Sequence, residues 1–508
     1  MPGINYSKFD NLSVSDSDDD KAGDEARSDE VTAARAAEAA QACQDVNALA
    51  PELGGQLSPG LALVLAARHG QAHAAEALLD ASASVDAVDP RGASALLRAV
   101  EGGIANRPVI ELLLRRRANV CVGADDGSTP LSCAAASGHV ELTECLLQCS
   151  PSNVALAGAL LAASRAGHRG TLLQLLGARA PVANGVDGRQ PLYHWAERGD
   201  VAVVQALVSA RANPDKADAE GRTPLMASAR AGCAECIRAL CVLGASPHSM
   251  NVDGATALSL ACEFAPEATA TDTVRALLDA RADPTVVSLA GVPAPSPLVA
   301  AAAANRVGLT KLLLGASADV EDADGRGRRP LPCAAAAGGI ELCQILLAAR
   351  ADVDGRCASG SVDGKAGGGA TGVSIAAAAG SPELLQVLLE AGASPAFTDE
   401  RGRPPLVASA QGGFERCCEV LLEARADANA REKDSEKPAL VLAAGGGHVS
   451  ACGILLQARA DVTLRAATGT CALYAAAANG HDGVCRQLVA AGAAPEDAGP
   501  AGLELLRG

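Results

Sequence analysis

Two short stretches of this chain have the spacing of a chemical site. Cys233-Ala-Glu-Cys236 is a C-x-x-C, the arrangement of a metal-binding or dithiol pair, and GGGATG at 367–372 satisfies the G-x-G-x-x-G of a dinucleotide loop. Each needs company to work. A tetrahedral metal site needs further ligands, and no second pair follows at such a spacing. A dinucleotide loop needs a strand before it and a βαβ unit around it, which the flanking residues do not supply. The thiols of 233 and 236 open an apolar helical run, so they read as core. The adjacent Cys417 and Cys418 point in different directions from one helix and read the same way. His139, His168, His448 and His481 recur at a Gly-His step, so their places are set by a period and not by a site. No intact G-x-S-x-G, H-E-x-x-H or G-x-x-x-x-G-K-[ST] is present. No catalytic, metal-ligating or cofactor-binding residue is assigned, and a non-enzymatic chain is expected.

The elements that would position any site must come from an unusual composition. Hydrophobic residues make up 49 % of the 508-residue chain and aromatics only 2 %, so a core must be built from Ala, Leu and Val through many small contacts. Net charge is −17. That balance disfavours nucleic acid and anionic membrane surfaces as main partners and favours proteins. No apolar run reaches the roughly 18 residues of a membrane span, and MPGINYSKFD lacks the apolar stretch of a signal peptide. The 17 cysteines sit mostly in helix-like apolar runs, which fits a reducing compartment. A cytoplasmic protein is expected, with the nucleus as the other possibility.

The sequence repeats with a period of about 33 residues. Clear copies begin at Asp125 (DDGSTPLSCAAASGHVELTECLLQCS), Ala219 and Glu400, and thirteen units are counted between Leu57 and Gly499. In each, a loop Gly such as Gly127, Gly221 or Gly402 permits positive φ. In STPL the Thr is placed as N-cap and the Pro as first helical residue. A short Ala-rich helix ends at Gly138, Gly232, Gly412 or Gly413, and a second helix carries leucines on one face, as in VELTECLL. Neither helix buries its face alone, so the units must stack.

This pattern resembles the ankyrin repeat, G-x-T-P-L-H-x-A-A-x-x-G-H followed by L-L-x-x-G-A-D. The resemblance implies an all-α, ankyrin-type solenoid of helix-turn-helix units with hairpin-like loops, about thirteen stacked repeats, acting as a protein-binding scaffold through a concave surface. Two departures stand out. The His after Thr-Pro-Leu is replaced by Ser132, Tyr193, Met226, Ser259, Pro332 and Val407, which puts the hydrogen bonds of that His in doubt. The Gly of L-L-x-x-G-A-D survives at 244, 392 and 492 but is Arg at 117, 179, 211, 281, 350, 425 and 459. That Gly is a left-handed C-cap, where a side chain costs about 1 kcal/mol or somewhat more. Three explanations stand side by side. The arginines pair as a structural ladder with neighbouring acids such as Asp283, Asp352, Asp427 and Asp461; or they reflect coding drift in a chain with 35 Arg and 7 Lys; or they bind a partner.

Outside the repeats, residues 1–30 form an acidic, Ser-rich tail expected to be disordered and to act first as a solubilising tail, with Ser13, Ser15 and Ser17 as candidate sites for acid-directed phosphorylation. Residues 31–56 are assigned to an N-terminal capping helix region, 57–499 to the solenoid and 500–508 to a C-terminal cap or tail. Insertions at 288–298, stiffened by Pro293, Pro295 and Pro297, and at 354–372, rich in Gly, lengthen two loops.

By the resemblance, binding positions are the loop-tip residues flanking the Gly and the pair after Ala-Ala. They are Arg91, Asp125, Asp126 and Ser128; Arg189, Glu197 and Arg198; Glu220, Arg222 and Arg230; Arg328, Arg401, Arg403 and Gln411. Arginine is frequent among them, which predicts a locally positive groove for an acidic or mixed-charge protein segment. Tyr193 and Trp195 are rare aromatics, and Trp195, in place of a small Ala, reads as a bulky core residue or an interface anchor. An adaptor delivering a bound protein to a modifying enzyme, for instance in ubiquitin ligation, and a cytoplasmic tether for a membrane protein are the alternative functions.

Overall fold

The computed structural model describes residues 37–38, 40–42, 44, 58–182, 185, 188–285, 294–357, 369–399 and 401–498. The tail at 1–30 with Ser13, Ser15 and Ser17, most of the 31–56 and insertion segments, the start of GGGATG and the end at 500–508 lie outside them. The described residues of 37–44 are helical.

Among the described residues the helices form thirteen consecutive pairs, from Pro59–Arg68 with Ala72–Asp80 to Ala472–Ala478 with Asp482–Ala490. The chain divides into two compact units: 1–219 with 242–245, and 220–241 with 246–508. In the second, one continuous apolar core runs from Val299 to Ala498, built mostly of Ala, Leu, Val and Cys contributed by successive pairs. Small side chains on the first helices let neighbouring pairs pack closely, and the leucines of the second helices close the core beneath them.

Each first helix starts where its cap lies. Thr129 and Thr223 accept the backbone N–H of residues 132 and 226, with Pro130 and Pro224 at the first helical position. The serines in place of the expected His complete the cap from inside. The hydroxyl of Ser132 accepts the Thr129 N–H at 2.8 Å, and the same reciprocal box joins Thr256 with Ser259 and Thr371 with Ser374. Tyr193, Met226, Pro332 and Val407 at that position are instead buried. Pro297, expected to stiffen a loop, opens the helix Pro297–Ala303 behind its cap Ser296.

Three backbone positions in the repeat are left-handed. The hairpin tip uses Gly92, Gly127, Gly221, Gly254, Gly327, Gly402 and Gly469. The turn between the two helices uses Gly70, Gly138, Gly232, Gly338, Gly380, Gly413 and Gly447 among others, which settles the 412/413 alternative on Gly413. The end of the second helix is left-handed at all seven arginines, with φ between 60° at Arg179 and 68° at Arg211, and at Ser82, Ser150, Ser317, Gly244, Gly392 and Gly492. There the N–H of Arg425 bonds to Leu422 O at 3.0 Å and that of Ala426 to Leu421 O at 2.9 Å, a Schellman closure repeated at the other six arginines.

The expected ladder of pairs does not form at six of the seven arginines among the described residues. Among the described residues the side chains of Arg179, Arg211, Arg281, Arg350, Arg425 and Arg459 make no hydrogen bond or ion pair, and all six are exposed. The aspartates meant to meet them fold back on their own turns: Asp283 and Asp461 accept from the hydroxyl and N–H of Thr285 and Thr463, Asp352 from the Asp354 N–H, and Asp427 from the Asn429 N–H. An adjacent backbone donor fixed by the turn offers a carboxylate a better bond than a solvated arginine on a long stem.

Candidate interaction surface

The hairpin tips project from the helix pairs and are braced in two ways. Within a hairpin, the turn is closed by backbone bonds and by an aspartate. Asp324 accepts the N–H of Arg326 and Arg328 on one oxygen and the Arg328 Nε at 2.7 Å on the other; Asp399 does the same for Arg401 and Arg403, and Asp89 for Arg91, Ala93 and the Arg98 guanidinium. Burial would raise the Asp89 carboxyl, but the Arg98 side chain and the two backbone donors outweigh it and hold the group below its ordinary range. Between hairpins, successive tips are tied by one backbone bond, as from Asp125 N–H to Arg91 O at 3.1 Å, Val252 to Glu220 and Lys433 to Gly402.

This bracing corrects the expectation of a positive groove. Arg328 and Arg403 are held by Asp324 and Asp399, with only 19 % of each arginine side chain exposed. Arg189 pairs with the buried carboxylate of Asp218 at 3.2 Å and lies over the Tyr193 ring, and Arg222 pairs with Glu220. Arg198, at the end of Pro191–Arg198, donates to the carbonyls of Ser164 and His194 and lies 5.5 Å from the centre of the Trp195 ring. These arginines serve the protein itself; for Arg328 and Arg403 the partner is a carboxylate four residues back across a tight turn. Arg91 and Arg401 keep exposed side chains without a hydrogen bond among the described residues, and Arg230 lies exposed over the Phe264 ring. Asp125, Asp126 and Glu197 are exposed, Asp126 capping Ser128, which is half-buried. Gln411 is exposed and accepts from Arg403 at 3.1 Å. What reaches solvent is therefore charge of both signs.

A family model described as ankyrin repeats, in three copies, matches residues 63–157, 159–251, 196–288 and 373–466. The chain belongs to the ankyrin-repeat family. No curated protein matches it at a significant level. The ankyrin framework accounts for residues that spacing alone made suspicious. His448 and His481 each place a ring nitrogen about 3 Å from a carbonyl of the preceding repeat, Gln411 O and Gly445 O. Their rings, with that of His168, cover the preceding turn glycines, so the Gly-His step is a packing device. Trp195 is 3 % exposed and Tyr193 5 %, so both are core residues.

Every described cysteine is a free thiol, most of them buried. Burial pushes Cys262, Cys343, Cys418 and Cys452 up to about 12 and Cys133 and Cys417 to about 11, far from the thiolate that chemistry requires. Cys233 is raised by burial too, and no group of metal-binding side chains forms among the described residues. No described helix is long and apolar enough to cross a membrane.

Proposed function

We propose that this ankyrin-repeat protein is a non-enzymatic scaffold, and that it binds a protein segment of mixed charge along the hairpin tips and first helices of each compact unit. Ankyrin repeats are protein-protein interaction modules. The observation that carries the finer reading is the division among the surface arginines. A set held by internal carboxylates fixes the tips, while Arg91, Arg401, Asp125 and Asp126 on the tips and Arg230, Glu197 and the neutral Gln411 on the first helices present exposed polar groups. A backbone held by braced turns loses little conformational entropy on binding, the cost falling on the exposed side chains that become ordered. The abundance of free thiols supports a reducing, cytoplasmic or nuclear setting.

The test compares proteins retained from native lysate by the full chain and by the triple variant Arg91→Glu, Arg230→Glu, Arg401→Glu, with retained proteins then purified and titrated. A partner that binds the wild type saturably and loses at least tenfold in affinity for the folded variant supports the surface. Equal affinity of wild type and variant places binding elsewhere, and no saturable partner for either removes the scaffold reading.

A further inference from the structure

One helix pair turns differently from the rest. In the others the chain passes from first to second helix through a left-handed glycine, or through Asn305; after Ala257–Phe264 it runs extended through Ala265 and Pro266, with ψ 139° and 140°. The second helix that follows, Glu267–Asp279, has 13 residues where its neighbours Ala234–Val242 and Val307–Gly315 have 9. Pro266 and Thr269 at its start crowd the Cβ position of Gly232, the covering task that a histidine ring has at Gly138 and Gly447. Phe264 is left at the helix end with 47 % of its surface exposed. Over its ring, 5.1 Å from the centre, lies the guanidinium carbon of Arg230. Arg230 is itself exposed and makes no hydrogen bond or ion pair among the described residues, so its N–H donors are held above an apolar ring with no acceptor from those residues.

We propose that Phe264 and Arg230 anchor a partner segment carrying one carboxylate beside a bulky apolar side chain, the carboxylate accepting from the Arg230 guanidinium and the apolar group lying on the exposed part of the Phe264 ring. This rests on the scaffold reading above and names what one part of that surface takes. A guanidinium stacked on a ring is already oriented, and its planar fork matches the two oxygens of a carboxylate. A half-exposed aromatic beside it supplies the apolar area that a charge pair alone lacks. Glu263 and Glu267, exposed and close in sequence to the ring, disfavour a run of acids, so a single carboxylate fits where an acidic tract does not. At the equivalent positions of the next three first helices stand exposed alanine pairs, 303–304, 336–337 and 378–379, so a segment continuing along them meets only methyl groups there.

The experiment uses the full chain and a displayed library of random dodecapeptides as the probe. Enriched peptides are synthesised and titrated against the wild type and variants. The expected result is a shared Asp or Glu next to a large apolar residue, with affinity falling at least tenfold for Phe264→Ala and for Arg230→Ala and holding for Arg350→Ala. The chain has 4 phenylalanines, so protein labelled with fluorophenylalanine gives a simple fluorine spectrum in which Phe264→Tyr assigns one signal. Peptide should shift that signal in the wild type and leave the Phe414 signal in place, a reading that stands even if an alanine variant folds poorly. Enriched peptides without the carboxylate and apolar pair overturn the proposal, as do peptides that bind without moving the Phe264 signal, or a library that yields no saturable binder. In each of those cases a purified lysate partner that binds the wild type and is lost from Arg91→Glu with Arg401→Glu still supports the scaffold, so the two readings fail separately.

Discussion

Two left-handed corners of the same repeat receive opposite treatment. At the turn between helices the residue is almost always glycine; at the end of the second helix it is arginine seven times. The backbone demand is alike, φ being 70° at Gly380 and 71° at Gly413 against 64° at Arg425. The space is not. A Cβ on Gly380 would stand 2.5 Å from the Phe414 ring, one on Gly138 2.5 Å from His168 and one on Gly447 2.7 Å from His481, because the next repeat lays a ring over the turn. At Gly392 and Gly492, which keep glycine at the helix end, nothing lies within 4 Å of where a Cβ would be. Conformation alone thus costs about 1–2 kcal/mol at either corner, and only where a ring covers the turn does space also forbid the side chain; at the turn glycines Gly338 and Gly480 nothing lies within 4 Å of a Cβ. Arginine at the open corner regains roughly 0.3–1 kcal/mol as a cation at a helix C-terminus.

The comparison breaks first at its crowded end. Gly380→Ala should cost about 2–4 kcal/mol, conformational strain plus a displaced Phe414 ring, read by urea denaturation. A loss below about 1 kcal/mol would show that the turn relaxes and that space does not distinguish the corners. Next comes the hairpin brace: Asp324→Ala strips two backbone donors and a guanidinium of their acceptor and should lose about 2 kcal/mol, whereas Arg401→Ala, two repeats on, should be near neutral. A smaller effect sharpens the open corner. Arg281→Gly, Arg350→Gly, Arg425→Gly and Arg459→Gly should each stabilise by about 0.5–1 kcal/mol and add when combined, since the sites are well separated. Gly392→Arg should cost a similar amount. Stabilisation absent from all four would mean the exposed arginines offset their strain in full.

The smallest effect is on the acid side. The Asp89 carboxyl is held below its unfolded value, so its contribution is complete above about pH 4 and is lost as pH falls through the lower folded value. Asp89→Asn should therefore flatten the decline of stability below about pH 4 and leave its slope near neutrality unchanged.

Much of the fold was legible because each repeat states its own boundaries. Thr-Pro starts, Gly-His turns and the Leu pair before a left-handed cap are local signals, and local rules decided them. The surface was less legible. Arg328 and Arg403 read as binding residues by position in the repeat, and became braces because Asp324 and Asp399 stand four residues earlier across a glycine turn. The pattern Asp-x-x-Gly-Arg was there to be read; weighing each arginine by type and by family position concealed it. The ladder failed for the opposite reason. Arg425 and Asp427 are close in sequence, but the Schellman turn sends the guanidinium into solvent and gives the carboxylate the Asn429 N–H.

Four of the bonds that join the repeats run one way. Asp86 accepts the backbone N–H of Asn119 at 2.8 Å, Glu321 that of Asp352, Asp354 that of Ser394 and Asn429 that of Asp461, so in each case the earlier repeat supplies a side-chain oxygen and the later one its main chain. A ribosome releases the oxygen first. Every new repeat emerges onto a docking point already in place, and a product that ends early leaves those oxygens to water while baring the apolar helix faces that the missing repeat would cover. Cutting from the other end removes the acceptor and strands the amide of what remains. Along these bonds the array is completed in the order in which it is made.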